Sequence, residues 1–320
     1  MSSPNPPSNR ICVFAPAPLL TVTLETAEGA DDTEIHLHAG GQGFWIARLV
    51  EVLGADVTLC STFGGETGRV VHGLLEDEPL TLRAVGTGGW NGCYVDDRRS
   101  GERERVGEMS PTPLTRHEVD ELYGAVLVAG LDATLTVLAG AGLDPILPSD
   151  VYRRLTADLA ANGRPVVVDL SGEPLRAAMA GGASVVKVSH EDLLRDRQVD
   201  GDAVPALADA MSEFADHGAQ LVVCSRAEQP ALALFHGRVV EVCGPVMEAT
   251  EHRGAGDSFT AALAAALAAG KSFEDALKLG AAAGALNVTR RGLGTGAREE
   301  IERLAELVEI RDAEVAAGGR

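Results

Sequence analysis

Between Glu251 and Gly270 the chain reads EHRGAGDSFTAALAAALAAG. Three small residues, Gly254, Ala255 and Gly256, precede an Ala- and Leu-rich run that favours a helix from Thr260 to Ala269, with Gly270 as its C-terminal stop. Small residues let backbone approach a ligand closely. The N–H groups of the first helical turn point the same way, an arrangement suited to an anion such as phosphate. A carboxylate at Asp257 would repel that anion unless it had another task, such as accepting a proton. The same residues also fit a tight loop with Asp257 as helix cap, and from this segment alone both readings stand.

The elements that would position such a turn follow from the rest of the chain. Its 320 residues suffice for one large α/β domain or two small ones, and 45 % are hydrophobic. Short apolar strands are expected at ICVFA (11–15), VTLCST (57–62), TLTVLA, PVVVDL, SVVKV and QLVVCS, with helical patterns between them. Two more strands, ALALF and RVVEV, precede the GAGD helix, and two helices follow it. Apolar strands alternating with helices imply a mostly parallel sheet covered on both faces. LTVTLE (20–25) and EIHLH (34–38) instead alternate apolar and polar residues, as strands with one wet face do. With GCYVDD and RRSGERERV, read as a second exposed hairpin, they form a small separate β-sheet, a lid. DDRRSGERER reads as its solvated tip, and His36 and His38 share one strand face without a third metal ligand.

A formal net charge of −20 repels nucleic acid and anionic membranes. Aromatic residues make up only 4 %, too few for base-stacking platforms. The five cysteines stand far apart with no CxxC pair, which points to reduced, buried thiols. MSSPNPPSNR has no apolar stretch behind a basic one, and no run reaches membrane-span length, so a cytoplasmic protein is expected. Residues 1–9 and 309–320 are expected to be disordered tails flanking one domain over 10–308, with lid segments at about 16–38 and 88–108.

Several segments in register carry a resemblance. GAGDSF is similar to the D-T-x-G-A-G-D signature of the PfkB/ribokinase carbohydrate kinases, and GGQGFWIA (Gly40 to Ala47) to their G-G-K-G-x-N-x-A signature. TFGGETGR, GLDPILPSDVY, VVVDLSGEPLRAA and VVKVSHEDL follow the family's segments in the family's order, and the branch resembled is that of 1-phosphofructokinase and tagatose-6-phosphate kinase. The resemblance covers about residues 10–305. It implies a ribokinase-like α/β/α sandwich with a β lid. It also implies ATP-dependent phosphorylation of a hydroxyl on a small carbohydrate-like acceptor, with Mg²⁺ and, in some members, a monovalent cation.

Residue by residue, the resemblance makes Asp257 the base and Gly254, Ala255 and Gly256 the anion hole for the phosphoryl group in flight. It makes Lys187, one of three lysines in the chain, the cation for ATP phosphates. The family's N-x-x-E magnesium motif is Ser189-x-x-Asp192 here, acting through water. Its S-x-G-x-x-G nucleotide loop starts at Ser225 but reads SRAEQP, with Ser225, Arg226 and Ala227 at the nucleotide and Ala227 and Pro230 in place of glycines. His252 stands at the usual Thr.

The acceptor side departs further. Gly40, Gly41, Gln42, Trp45, Asn91 and Leu19 occupy acceptor positions. Leu19 replaces the Asp that reads sugar hydroxyls, Gln42 a lysine and Trp45 an asparagine, and Gly89 stands at the arginine that holds a substrate phosphate. Two cations are lost and two indoles, Trp45 and Trp90, gained. Arg48, Arg98 and Arg99 are the arginines near enough in sequence to restore a charge. Fructose 1-phosphate, fructose 6-phosphate and tagatose 6-phosphate are therefore expected to be poor acceptors beside an uncharged one. Two alternatives stand: a nucleoside or other ring stacked on Trp45 or Trp90, and a kinase-like protein that binds ligand without turnover. The expected assembly is a homodimer joined through the lids, with no nucleic-acid or membrane partner.

Overall fold

The computed structural model describes residues 9–27, 32–140, 146–248, 253–290 and 292–314. In chain order the elements begin with β1 (Arg10–Phe14), β2 (Leu19–Thr26), β3 (Thr33–Gly40), α1 (Gln42–Val52), β4 (Asp56–Gly64), α2 (Gly65–Glu76), β5 (Thr81–Thr87), β6 (Cys93–Asp97) and β7 (Glu104–Met109). The middle of the chain forms α3 (Arg116–Asp132), β8 (Leu135–Ala139), α4 (Asp150–Ala161), β9 (Val166–Asp169), α5 (Gly172–Ala180), β10 (Val185–Ser189), α6 (His190–Arg195) and α7 (Val204–Asp216). The last part adds β11 (Leu221–Arg226), β12 (Gln229–Phe235), β13 (Arg238–Cys243), α8 (Ala255–Ala268), α9 (Phe273–Val288), α10 (Arg298–Ala305) and β14 (Glu309–Asp312).

Among the described residues the strands form two sheets. The larger runs β14-β13-β12-β11-β10-β9-β8-β1-β4-β5, parallel from β11 to β5 and antiparallel from β11 to β14. Its central strands are apolar on both faces because both are covered. Ile11 and Val13 of β1 enter one core with α1, α8 and α9, while Cys12 and Phe14 enter the other with α3, α4 and α7. That two-sided burial is why these strands read as unbroken apolar runs.

The smaller sheet is the lid, in the order β3-β2-β6-β7. β2 and β6 fall inside the segments expected for a lid, while β3 runs on to Gly40 and β7 to Met109. Asp96 departs from the solvated-tip reading: it is buried and ion-paired to Arg103 and Arg105, so the DDRRSGERER hairpin carries a buried carboxylate. A second correction concerns the C-terminus. Residues 309–312 are not a tail but β14, paired to β13 with Val242 opposite Ile310. Residues 1–8 and 315–320, His252 and part of GLDPILP lie outside the described residues.

α8 packs between α1 and α9, and its alanines at 261, 262, 264, 265, 266 and 268 are buried. Gly280 of α9 allows close approach to α8: a Cβ there would lie 2.8 Å from the Phe259 ring. This places the N-terminus of α8 at the carboxyl ends of β1, β8, β9 and β10, where open α/β sheets form their binding crevice.

Candidate active site

The GAGD turn opens α8. Gly254 is its N-cap with φ +79°, a left-handed conformation that suits glycine, and no side chain caps the helix. Asp257 lies inside the first turn and is not the cap, so the capping alternative is discarded, and among the described residues no side chain caps the turn. Asn287 of α9, fully buried, holds the turn from behind. Its Nδ2 donates to the Arg253 carbonyl at 2.7 Å, and its Oδ1 accepts from the Ser258 hydroxyl at 3.1 Å. Nothing in the sequence around Asn287 marked it; only the packing of α9 on α8 reveals the contact.

Asp257 lies at a cavity of about 280 Å³ that Leu19, Gln42, Trp45, Tyr94 and Arg253 also line. Gln42 is the first residue of α1. Its Oε1 accepts from the Gly140 N–H at 2.9 Å, and its side chain favours the ionised form of the Asp257 carboxyl. Enclosure by protein, reinforced by the nearby Asp169 carboxylate, pushes the Asp257 pKa up to about 7; Lys187, Gln42 and Arg253 restrain the rise. A carboxyl poised there matches a base working near neutrality. A wider depression of about 740 Å³ over Gly64, Arg69 and Thr87 has no carboxylate in its lining, which makes the smaller cavity the candidate site.

Lys187 ends up beneath the glycine turn. It is buried on β10, 3.3 Å from the Asp169 carboxylate on neighbouring β9. Thr260 of α8 donates to the other Asp169 oxygen at 2.6 Å. A Cβ at Gly256 would come within 2.6 Å of the Lys187 Nζ, so this glycine leaves the space the ammonium occupies. Burial alone would lower the Lys187 pKa, but the Asp169, Asp257 and Asp192 carboxylates outweigh it and hold the value above that of an ordinary lysine. Asp169 is a site residue that the sequence reading passed over, although it stands in the VVVDLSGEP segment.

The nucleotide-side residues are more occupied than the motifs suggested. Ser189 and Asp192 form a capping box on α6, with the Ser189 hydroxyl donating to Asp192 Oδ2 at 2.6 Å and Arg195 donating to Oδ1 at 2.6 Å. These bonds hold the Asp192 pKa down despite its partial burial. Arg226 is buried, donating to the Pro230 carbonyl at 2.6 Å and to Glu241 at 2.9 Å. It thus braces the β11–β12 turn, where Ala227 takes φ +49°. Ser225 lies beside Ser189 in the sheet register, and its hydroxyl is 3.4 Å from the Val188 carbonyl.

Among the described residues no three His, Cys, Asp or Glu side chains come together as a metal cage. Magnesium suits this site only if it arrives with phosphates that complete its coordination, as Mg²⁺ commonly does. For phosphate itself the fit is better: an uncapped helix start, a glycine where a Cβ would meet Lys187, and the ammonium itself.

On the acceptor side, Gly41 (φ +109°) makes the turn into α1, and a Cβ at Gly40 would meet the Thr21 hydroxyl at 2.9 Å. Asn91 is buried with its amide engaged at both ends: Nδ2 donates to the Pro18 and Thr62 carbonyls at 2.9 Å, and Oδ1 accepts from the Gly64 N–H at 2.9 Å. It ties the root of the lid to β4 and does not line the cavity. Trp90 is 51 % exposed with its indole N–H on the Ser110 carbonyl, away from the cavity, so it offers no stacking surface there. Trp45 does line the cavity, but the Arg253 guanidinium lies over its ring, 5.0 Å from the centroid. Of the arginines named from the sequence, Arg48 pairs with Glu78 and Arg99 with Asp97. The cation in the cavity wall is Arg253, in the x position of the glycine signature, which sequence reading did not single out.

Residues 19–300 match the pfkB family carbohydrate kinase profile. The chain belongs to the pfkB family of carbohydrate kinases. It is 29 % identical over 277 residues to the ATP-dependent 6-phosphofructokinase isozyme 2 of Mycobacterium tuberculosis, an alignment covering 84 % of this chain and 79 % of the relative. Identity to the 1-phosphofructokinase of Bacillus subtilis is 25 %, covering 85 % and 88 % of the two chains. The crystal structure of Escherichia coli phosphofructokinase-2 in complex with potassium superposes with a TM-score of 0.83 at 27 % identity, covering 93 % of this chain and 98 % of that one. This pfkB kinase is thus a phosphotransferase of the carbohydrate-kinase type with the fold expected from its sequence. Among its described residues no helix is long and apolar enough to cross a membrane.

Proposed function

We propose that this pfkB kinase transfers the terminal phosphoryl group of ATP to a hydroxyl of a small sugar-like acceptor held in the Asp257 cavity. The observation that carries the reading is the position of Asp257: it faces the cavity from inside the first turn of an uncapped helix. Ionised, it accepts the proton of the attacking hydroxyl. The N–H groups of the turn at Gly254, Ala255 and Gly256 receive the phosphoryl oxygens, and Lys187 beneath them adds positive charge where negative charge develops. Bound Mg-ATP supplies the phosphoryl group. Asp192, with Ser189, would hold the magnesium that neutralises the phosphates, and Ser225 and Ala227 would border the nucleotide. Gly40 and Gly41 shape the acceptor end, with Leu19 as an apolar wall. Asn91 acts indirectly, by fixing the lid root.

The relatives at 29 % and 25 % identity are named phosphofructokinases, and Escherichia coli phosphofructokinase-2 has been crystallised in complex with fructose-6-phosphate. A hexose or hexose phosphate is accordingly the first acceptor class to assay. Asp257→Asn tests the assignment: ADP release on the best acceptor should fall by ~10²–10⁴ while ATP affinity holds. Wild-type turnover in that variant would remove Asp257 from the role of base.

One observation favours a second reading, a pfkB-fold protein that binds ligand with little turnover. Asp192 and Arg226, carried over as magnesium and nucleotide contacts, are both engaged in structural bonds. Absence of ATP binding at millimolar Mg-ATP would decide for it.

The assembly proposed is a homodimer through the lid. Ile35 and Leu37 on edge strand β3 are 65 % and 46 % exposed, and Val106 on the opposite edge strand β7 is 54 % exposed. Apolar side chains on unpaired edge strands favour a partner sheet.

A further inference from the structure

Along α9, Gly280 meets Phe259, Gly284 meets the Ala255 carbonyl and Asn287 meets Arg253, so α9 runs antiparallel to α8 and its last turn lies beside the glycine turn. The buried residues of α9 are alanines, leucines, one glycine and Asn287, which is the single polar residue among them. Burying an amide in such an interface costs free energy unless both its ends are bonded. Asn287 is fully buried, and both its bonds go to one short segment: Nδ2 donates to the Arg253 carbonyl at 2.7 Å, and Oδ1 accepts from the Ser258 hydroxyl at 3.1 Å. The amide thus spans the turn from the residue before Gly254 to the residue after Asp257. An alanine or leucine would pack the interface without that cost, so packing does not account for an asparagine here.

A trans peptide is planar, with its C=O and N–H pointing in opposite directions. Drawing the Arg253 carbonyl toward α9 therefore turns the Gly254 N–H away from α9. Gly254 is confined on its other side as well: its carbonyl accepts from the Ser258 N–H at 2.9 Å, and a Cβ on it would lie 2.9 Å from the Leu293 side chain and 3.5 Å from both polar atoms of the Asn287 amide. No side chain caps this helix start, and an uncapped end that is not held from behind frays. We propose that Asn287 is a positioning residue for phosphoryl transfer. By gripping the Arg253 carbonyl it fixes the peptide plane that carries the Gly254 N–H, the first donor of the anion hole, and so favours the phosphoryl group in flight over either bound substrate. This rests on the kinase reading of the same site and extends its machinery to a residue outside the glycine signature.

The test separates catalysis from stability. Wild type, Asn287→Ala, Asn287→Leu and Asn287→Leu with Ser258→Ala are compared by thermal melting and by ADP release with the best of fructose, fructose 1-phosphate and fructose 6-phosphate. Calorimetry of MgADP with and without aluminium fluoride, a mimic of the transferred phosphoryl group, completes the set. Asn287→Leu fills the vacated volume, which keeps the test decisive if the alanine variant folds poorly. Both single variants should lower kcat by roughly 10- to 100-fold, with KM for ATP and acceptor within about threefold of wild type. They should lose the tightening of MgADP by aluminium fluoride in the same proportion. Adding Ser258→Ala removes the orphaned hydroxyl, so the melting temperature should recover part of its loss. The kcat should stay low, because the Arg253 carbonyl is still not held. Recovery of kcat together with stability would overturn the proposal, as would a kcat unchanged in both single variants. A rise in KM alone would also overturn it, placing Asn287 in substrate binding. Failure of the kinase reading would look different: wild type itself would release no ADP and bind MgADP no more tightly with aluminium fluoride, and the proposal would fall with it.

Discussion

The Lys187 ammonium and the Asp169 carboxylate, on adjacent parallel strands, form a buried ion pair at 3.3 Å directly beneath Gly256. The pair places a cation under the phosphate turn without exposing it. Removing one partner leaves a buried charge without its counterpart, which costs far more than the pair contributes. Asp169→Leu is expected to destabilise the fold by about 3–5 kcal/mol in chemical denaturation, and Asp169→Leu with Lys187→Met to recover most of that loss. If the single and double variants unfold at the same denaturant concentration, Asp169 is not the counter-charge of Lys187.

Asp257 makes stability depend on pH with a definite sign. Its folded pKa, about 7, lies above the value of about 4 for an unfolded aspartate. Below pH 4 both states are protonated and nothing is lost. From pH 4 to 7 the unfolded chain ionises while the folded one resists, so stability falls across that window and stays lower above it. Asp257→Asn should thus match wild type near pH 4 and exceed it by on the order of 2–4 kcal/mol at pH 8. Thermal melts at the two pH values check this, and an equal shift at both would contradict it.

Gln42 is expected to set the acid limb of the pH–rate profile. Its side chain favours the ionised form of Asp257. Gln42→Leu should move the acid limb of kcat/KM to higher pH and lower activity at pH 7 roughly two- to tenfold, with little loss above pH 8.5. A uniform loss at every pH would mean that Gln42 acts on acceptor binding and not on the base.

For the lid, Leu37→Lys places a charge on the exposed edge strand. It should shift the mass in light scattering from dimer to monomer at micromolar protein. A wild-type monomer under the same conditions would remove the lid interface.

Much of the fold was legible because burial leaves a direct mark on sequence. β1, β4 and β8 to β11 are covered on both faces and read as apolar runs, whereas β2 and β3 alternate. β14 escaped because EIRD has little apolar content; it is a strand only because β13 offers it an unpaired edge. At the site, Gly254 and Asp257 were readable because a turn and its helix are local. The Lys187–Asp169 pair, the hold of Asn287 on the turn and the stack of Arg253 on Trp45 were not. Each joins residues at least 18 positions apart, and no spacing rule reports on strand neighbours or helix packing. Arg226 illustrates the converse: its place in a nucleotide motif was legible, but its burial against Glu241 was not.

The buried alanines of α8 have no rotamers to freeze. On the proposed function, phosphate at the start of this helix would meet a surface already in its final shape, and the entropy of that encounter would belong to the ligand and the released water. The acceptor wall is built differently, from Arg253, Trp45, Gln42 and Tyr94, with many torsions among them. Heat should therefore act unequally on the two substrates. The Michaelis constant for ATP should change little with temperature, while that for the acceptor should climb as the wall gains disorder.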